Sequence, residues 1–258
     1  MKKWSFFLSL YFCACLLAAC AAAGSGGPVP GGTPSGEVQT GGEDSRSAAV
    51  TALCRVVAND GTLLLAGADG DANVYTLTPE DDTNLAVGTL VEIAYGGTIL
   101  ETFPAQFGGV TAVRAVEDGF DDRCALYLHV LEDLWAVDDG LNSGVTYIGM
   151  DLSQTSLSDS EKAAAAWAFA QKHGGELVTG TWEELAEQGY IDRETLCWED
   201  GILFTLAEQE GAYRPGSVTF DAEKWRSGLG AYFYFDCTAA QSADGHWDGY
   251  TIGGEAIS

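Results

Sequence analysis

Over residues 50–116 apolar and polar positions alternate in short runs, and beyond residue 123 they switch to steps of three and four. Residues 50–57 are rich in β-branched side chains, Asn59-Asp60-Gly61 is a turn, 62–66 is apolar and 73–77 alternates. Residues 90–95 then run into Gly96-Gly97, a tight hairpin signal. Residues 98–103 and 110–116 bring the count to about six short strands without a helical period, a spacing that predicts a small barrel.

The second pattern is helical first and extended later. Leu128, Leu131, Leu134 and Trp135 recur at helical spacing within 125–137, and 147–152 reads as a strand. Ser158 with Glu161 is a capping-box pair opening an Ala-rich helix that runs to Lys172 and closes at His173-Gly174-Gly175. After a short strand at 177–178, Thr181 with Glu184 is a second capping box, and Gly189 ends that helix. Residues 195–198 and 202–206 flank Glu199-Asp200-Gly201, a hairpin turn, and 217–222, 230–238 and 247–252 add further strands. The expected class is α+β: a small β-barrel at 48–117, then at 118–258 an α+β domain whose mainly antiparallel sheet is covered on one face.

What precedes this is neither. Lys2 and Lys3 lead an apolar run at 4–19 that is shorter than the ~20 residues of a bilayer span but has the charged start and apolar middle of a signal peptide. It ends at Leu17-Ala18-Ala19-Cys20, which resembles the lipobox of bacterial lipoproteins. The resemblance implies removal of 1–19, diacylation of Cys20 and attachment to the extracytoplasmic face of the cell membrane, where two acyl chains hold far better than one. Residues 20–47, rich in Gly, Ser, Pro and Thr, form a linker reaching about 26 to 31 Å.

Two further resemblances concern the folded part. Val87-Gly88-Thr89-Leu90-Val91-Glu92-Ile93 followed by Tyr95-Gly96-Gly97-Thr98-Ile99-Leu100-Glu101-Thr102-Phe103-Pro104-Ala105 is similar to the small OB-like domains of Gram-positive lipoproteins, which implies an OB-like barrel and no particular ligand. The stretch from Lys224 to Tyr232, with Trp247 and Ile257-Ser258, resembles a C-terminal domain of Firmicutes surface proteins, some of them outward-facing parts of membrane sensors. It brings no catalytic residues with it.

Charge narrows the partners. Of 258 residues 38 are Asp or Glu and 12 Lys or Arg; without Lys2 and Lys3 the net formal charge is −28. No basic run breaks this, so nucleic acid is disfavoured as a partner, even for an OB-like unit. The 47% apolar content is enough for a core and argues against disorder.

Candidate chemistry is sparse. Asp69, Asp71, Asn73 and Glu80 stand at positions 1, 3, 5 and 12 of a calcium-loop count, but Val74 replaces the Gly of position 6 and the flanks are strands, so a hairpin loop is the competing reading. Lys224 and Arg226, with Ser227 and two nearby glycines, would share a strand face and offer an anion site; pairing with neighbouring Asp and Glu is the alternative. The aromatic set Trp225, Tyr232, Phe233, Tyr234, Phe235 and Trp247 splits by alternation between two faces, so at most half would form a binding platform. Cys54, Cys124, Cys197 and Cys237 allow three pairings, with Cys197–Cys237 preferred, or serve as small buried apolar residues. No G-x-S-x-G, S-x-x-K, H-E-x-x-H or C-x-x-C occurs, and His129, His173 and His246 are scattered. The expectation is a lipid-anchored binding or sensing accessory recognising an envelope protein, peptide or glycan. The rival is a hydrolase of envelope polymers using two of the many carboxylates.

Overall fold

The alternating first pattern becomes seven strands: β1 (Val50–Asn59), β2 (Leu63–Gly67), β3 (Val74–Leu77), β4 (Leu90–Tyr95), β5 (Thr98–Leu100), β6 (Ala105–Gly108) and β7 (Ala112–Ala115). The computed structural model describes residues 50–79, 85–209, 211 and 214–258, which group into one unit. The strands lie in the order β5-β6-β3-β2-β1-β4-β7, antiparallel except for β3 beside β6. No closed barrel is found among the described residues: the pairing path ends on β5 and β7.

Gly96-Gly97 does not make the expected hairpin. β4 pairs with β1 and β7, whereas β5 pairs with β6, so the glycines form a bend at which the chain changes partners. Gly97 takes φ +79°, and Gly96 N donates to Gly108 O at 3.1 Å, an approach that a Cβ on Gly96 would crowd at 3.2 Å. The strand β6 went unanticipated because Ala-Gln-Phe-Gly carries too little pattern to announce itself.

This sheet buries both faces in part. On β2, Leu63 and Leu65 join Cys54, Val56, Tyr75, Val91 and Ile93 in one core, while Leu64 and Ala66 point the other way, into the core built by the helices.

The second pattern gives α1 (Arg123–Ala136), β8 (Tyr147–Gln154), α2 (Asp159–His173), β9 (Glu176–Thr179), α3 (Trp182–Glu187), β10 (Gly201–Glu208), β11 (Ser217–Ser227), β12 (Gly230–Ala240), β13 (Tyr250–Thr251) and β14 (Gly254–Ile257). Both capping boxes form: Glu161 N donates to Ser158 Oγ, Glu184 N donates to Thr181 Oγ1, and each Glu carboxylate accepts from its cap's backbone N–H. Gly174, at φ +69°, closes α2.

The sheet order is β13-β12-β11-β10-β8-β9, with β14 also on β12. From β10 to β13 and β14 pairing is antiparallel as expected, but β10, β8 and β9 are parallel. Residues 147–208 thus form a β-α-β-α-β unit, with α2 on one face and α3 on the other. Helix cover therefore extends to both faces, against the expectation of one.

The expected strand at 195–198 is instead a tight turn held by the Asp192–Cys197 bridge, and Asp200-Gly201 leads directly into β10. The turn seats Trp198 across the sheet, and a Cβ on Gly149 or Gly201 would overlap its indole. Those two glycines are what let the ring approach the strands so closely.

Candidate functional site

Cys20 and Glu80 lie outside the described residues, as do the expected signal segment 1–19 and linker 20–47. The rest of the calcium-loop count is visible. Asp69 takes a left-handed φ of 54°, Asp71 Oδ1 accepts from Asn73 N and Nδ2 at 3.0 and 2.6 Å, and Tyr75 OH donates to Asp71 Oδ2 at 2.7 Å. These bonds close a turn within the chain, and no group of three or more metal-ligating side chains occurs among the described residues.

Lys224 and Arg226 do share a face, but neither is free to meet an anion. Lys224 is fully buried, and its Nζ donates to Val137 O at 2.7 Å, Asp138 O at 3.2 Å and Trp135 O at 3.3 Å. Arg226 donates to Leu141 O, Ser143 O and Glu199 O, each at 2.6 Å. Ser227 Oγ accepts from Leu229 N. The correction has a simple cause: carbonyls at the end of α1 need donors, which Lys224 supplies, and Arg226 does the same for carbonyls of the turn that follows and of the loop before β10. Burial pushes the Lys224 ammonium down to about 8.

The preferred disulfide is likewise not formed. Cys237 stands opposite Phe220, while Cys197 bridges to Ser227. Seven residues of strand separate these positions, roughly 23 Å, against a Cα span of about 7 Å for a disulfide. All four cysteines are free thiols, and burial pushes those of Cys54 and Cys237 up to about 12.

The structure opens a different site where α1 and α2 meet the outer face of the first sheet. There a cleft of about 610 Å³ has an apolar floor of Ala58 from β1, Leu64 from β2, Leu128 from α1, and Trp167, Ala168 and Phe169 from α2. Its rim carries Asp60 and Thr62 from the first β-turn and His129, Glu132, Gln171 and Lys172 from the helices. The volume falls within the range of small-molecule sites, and an apolar floor with a few polar rim groups is their usual composition.

Helical spacing builds the rim. Residues 128, 129 and 132 recur at one face of α1, and 167, 168, 171 and 172 at one face of α2. Lys172 Nζ lies 2.9 Å from Glu132 Oε2 and His173 Nε2 lies 3.2 Å from Glu132 Oε1, so one carboxylate ties the helices together at the mouth. His173 stacks on Trp135 with centroids 4.0 Å apart, and burial lowers its proton affinity against the opposing pull of Glu132. Next to the rim, His129 Nε2 sits 3.6 Å from Asp133 Oδ2, which also accepts from Tyr250 OH at 2.8 Å.

Sequence reading missed this cleft. Its one local signal was Trp167, a large aromatic within the Ala-rich stretch 163–170 of α2.

Other polar clusters brace the fold. Glu208 Oε1 accepts from Tyr127 OH at 2.6 Å and from Ser156 N and Oγ, both at 2.8 Å. Asp122 accepts from Trp247 N and lies 2.9 Å from His246 Nδ1, a bond that raises the histidine's proton affinity. On the α3 face of the second sheet, register aligns Asp151, Thr205, Glu223 and Phe233 in one row across β8, β10, β11 and β12. Glu223 has its carboxyl raised by burial. Phe233 stacks on Phe235, with centroids 5.8 Å apart and planes 5° apart, while Tyr232 and Tyr234 occupy the opposite face, as alternation required.

Comparison of the chain with family models, curated proteins and solved structures gives no match in any of the three. Among the described residues no helix is long and apolar enough to cross a membrane.

Proposed function

We propose that the protein is a bacterial lipoprotein, held by acylated Cys20 on the extracytoplasmic face of the cell membrane, where it works as a binding or sensing module. The cleft between the first sheet and helices α1 and α2 carries the binding half of this reading, because it gathers apolar and polar groups from β1, β2, β3, α1 and α2 around one space. The Leu17-Ala18-Ala19-Cys20 motif and the Gly/Ser/Pro-rich stretch after it carry the anchoring half. Residues 48–117 are read as the OB-like domain and 118–258 as the α+β domain. The run β1-β2-β3-β6-β5, with β5 continuing β4 over Gly96-Gly97 and β4 returning to β1, favours the OB-like reading.

Metabolic labelling with an alkyne-tagged fatty acid tests the anchor. Label on the wild-type protein in the membrane fraction, and none on Cys20→Ala, is the expected result; an unlabelled wild-type protein would overturn it.

One observation favours the second reading, a hydrolase of envelope polymers. Asp151 and Glu223 stand two strands apart in one row, roughly 10 Å between Cα atoms, beside the Phe233–Phe235 stack. A half-buried Glu with raised proton affinity and a second carboxylate in the same row are the two groups that an acid and base pair needs. Release of soluble fragments from purified envelope polymer by the wild type, lost in Glu223→Gln, would establish it.

A further inference from the structure

Resting on the reading of the cleft as the ligand site, we infer that its ligand is a small amphipathic cation: an apolar body carrying one amine or quaternary ammonium group. The size and lining of the cleft set the body. About 610 Å³ over Ala58, Leu64, Leu128 and Ala168 admits a flexible chain or a ring system, and no charged side chain contributes to that floor.

The rim sets the charge. Its carboxylates are Asp60 and Glu132, and its ammonium is Lys172, already 2.9 Å from Glu132. An anionic head group would therefore meet an uncompensated Asp60 and a Lys172 whose charge is engaged. A cation meets Asp60, which no ion pair among the described residues engages, while Glu132 is shared by Lys172 and His173. Asp133 lies just behind His129 and adds a further negative charge beside the mouth. Beyond the rim, a formal charge of −26 over the whole chain draws cations toward the surface and repels anions.

Trp167 supplies the third element. It is the one tryptophan lining the cleft, and indole is the strongest side-chain partner for an ammonium or quaternary nitrogen. Apolar floor, excess carboxylate and a partly exposed indole within one cleft are together the recognition chemistry of an organic cation.

Three probes of equal chain length separate the charge requirement from simple apolar binding: octyltrimethylammonium, octyl glucoside and octyl sulfate, each below its micelle concentration, titrated into the full chain by calorimetry. The expected order is ammonium, then glucoside, then sulfate, with about a tenfold gap in Kd between the first and the last. The doubly substituted Asp60→Asn, Glu132→Gln chain should lose that preference, since Lys172 is then left without its carboxylate. Glu255→Gln, a carboxylate on β14, should keep it and so exclude a mere effect of net charge. Trp167→Leu should weaken the ammonium ligand more than the glucoside.

Equal affinity for all three probes would overturn the cationic ligand while leaving the cleft as a binding site. Binding of none of the three probes to a chain with a normal thermal transition would overturn both.

Discussion

The two ends of helix α2 meet the first sheet in opposite ways. At its N-terminal end the seam is closed by polar groups: Arg55 on β1 lies 2.8 Å from Glu161, donates to Gly88 O and Gly119 O, and is backed by Ser160 Oγ donating to Gly67 O at 2.6 Å. Toward its C-terminal end, about two to three turns further on, Trp167, Ala168 and Lys172 face Ala58 and Leu64 across an open cleft. A bidirectional helix contact could have been apolar throughout. Instead the clamp fixes the sheet against the helices at one end, so that the other end stays apart without collapsing. Directional bonds set the spacing, and undirected apolar packing would have closed it.

The sharpest contrast to break lies within α2 itself. Phe169 borders the cleft floor but is fully buried against Phe204 and Trp135, whereas Trp167, two residues away, is partly exposed in the cleft. Phe169→Ala should cost about 4 kcal/mol in urea denaturation, and Trp167→Ala no more than about 1 kcal/mol. Equal losses would mean that the cleft is part of the packed core. Next in size, Arg55→Ala leaves the buried Glu161 without its ion-pair partner and should cost about 3 kcal/mol. Hydrogen exchange would then rise first in β1 and the start of α2; protection unchanged there would deny the clamp its role.

A smaller effect distinguishes the carbonyl-capping cation from those exposed at the cleft. Lys224 has its proton affinity lowered from 10.5 to about 8 by burial, so above pH 8 the unfolded chain binds more protons than the folded one. Stability contributed by this group therefore rises with pH in that window, by up to about 1 kcal/mol between pH 8 and 9. Above 9 the buried thiols of Cys54 and Cys237 oppose it, because the folded chain keeps protons that the unfolded chain loses. Comparing wild type with Lys224→Met across pH 8 to 9 isolates the slope; parallel profiles would contradict the buried ammonium. The smallest effect is expected at Glu132→Gln, within about 0.5 kcal/mol in stability, because Lys172 at the mouth is mostly exposed.

Local features were legible from sequence and long-range ones were not. Both capping boxes, the Gly174 stop and the extents of β4 and α2 followed from side-chain chemistry acting over four residues or fewer. The face-splitting of Tyr232 to Phe235 followed from strand period alone. Parallel pairing of β8, β9 and β10 did not, because a strand carries no local mark of its partner's direction. Gly96-Gly97 looked like a hairpin because a bend between two partners and a turn between two strands ask the same freedom of the backbone. Lys224 and Arg226 looked like an anion site because most of the carbonyls they cap, at 135–143, are some 80 to 90 residues away in sequence, and the remaining one, Glu199 O, is 27 residues away. The cleft was hidden for the same reason: its floor joins residues 58, 64, 128 and 167–169, each ordinary core chemistry where it stands.

Filling the cleft tests its role most directly. Ala168→Phe places a ring where the floor of the cleft now lies open, without disturbing the Arg55–Glu161 clamp at the other end. With octyltrimethylammonium titrated by calorimetry, the account predicts a thermal transition at or above that of wild type and a loss of binding of about tenfold or more. Undiminished affinity in a folded Ala168→Phe chain would contradict it.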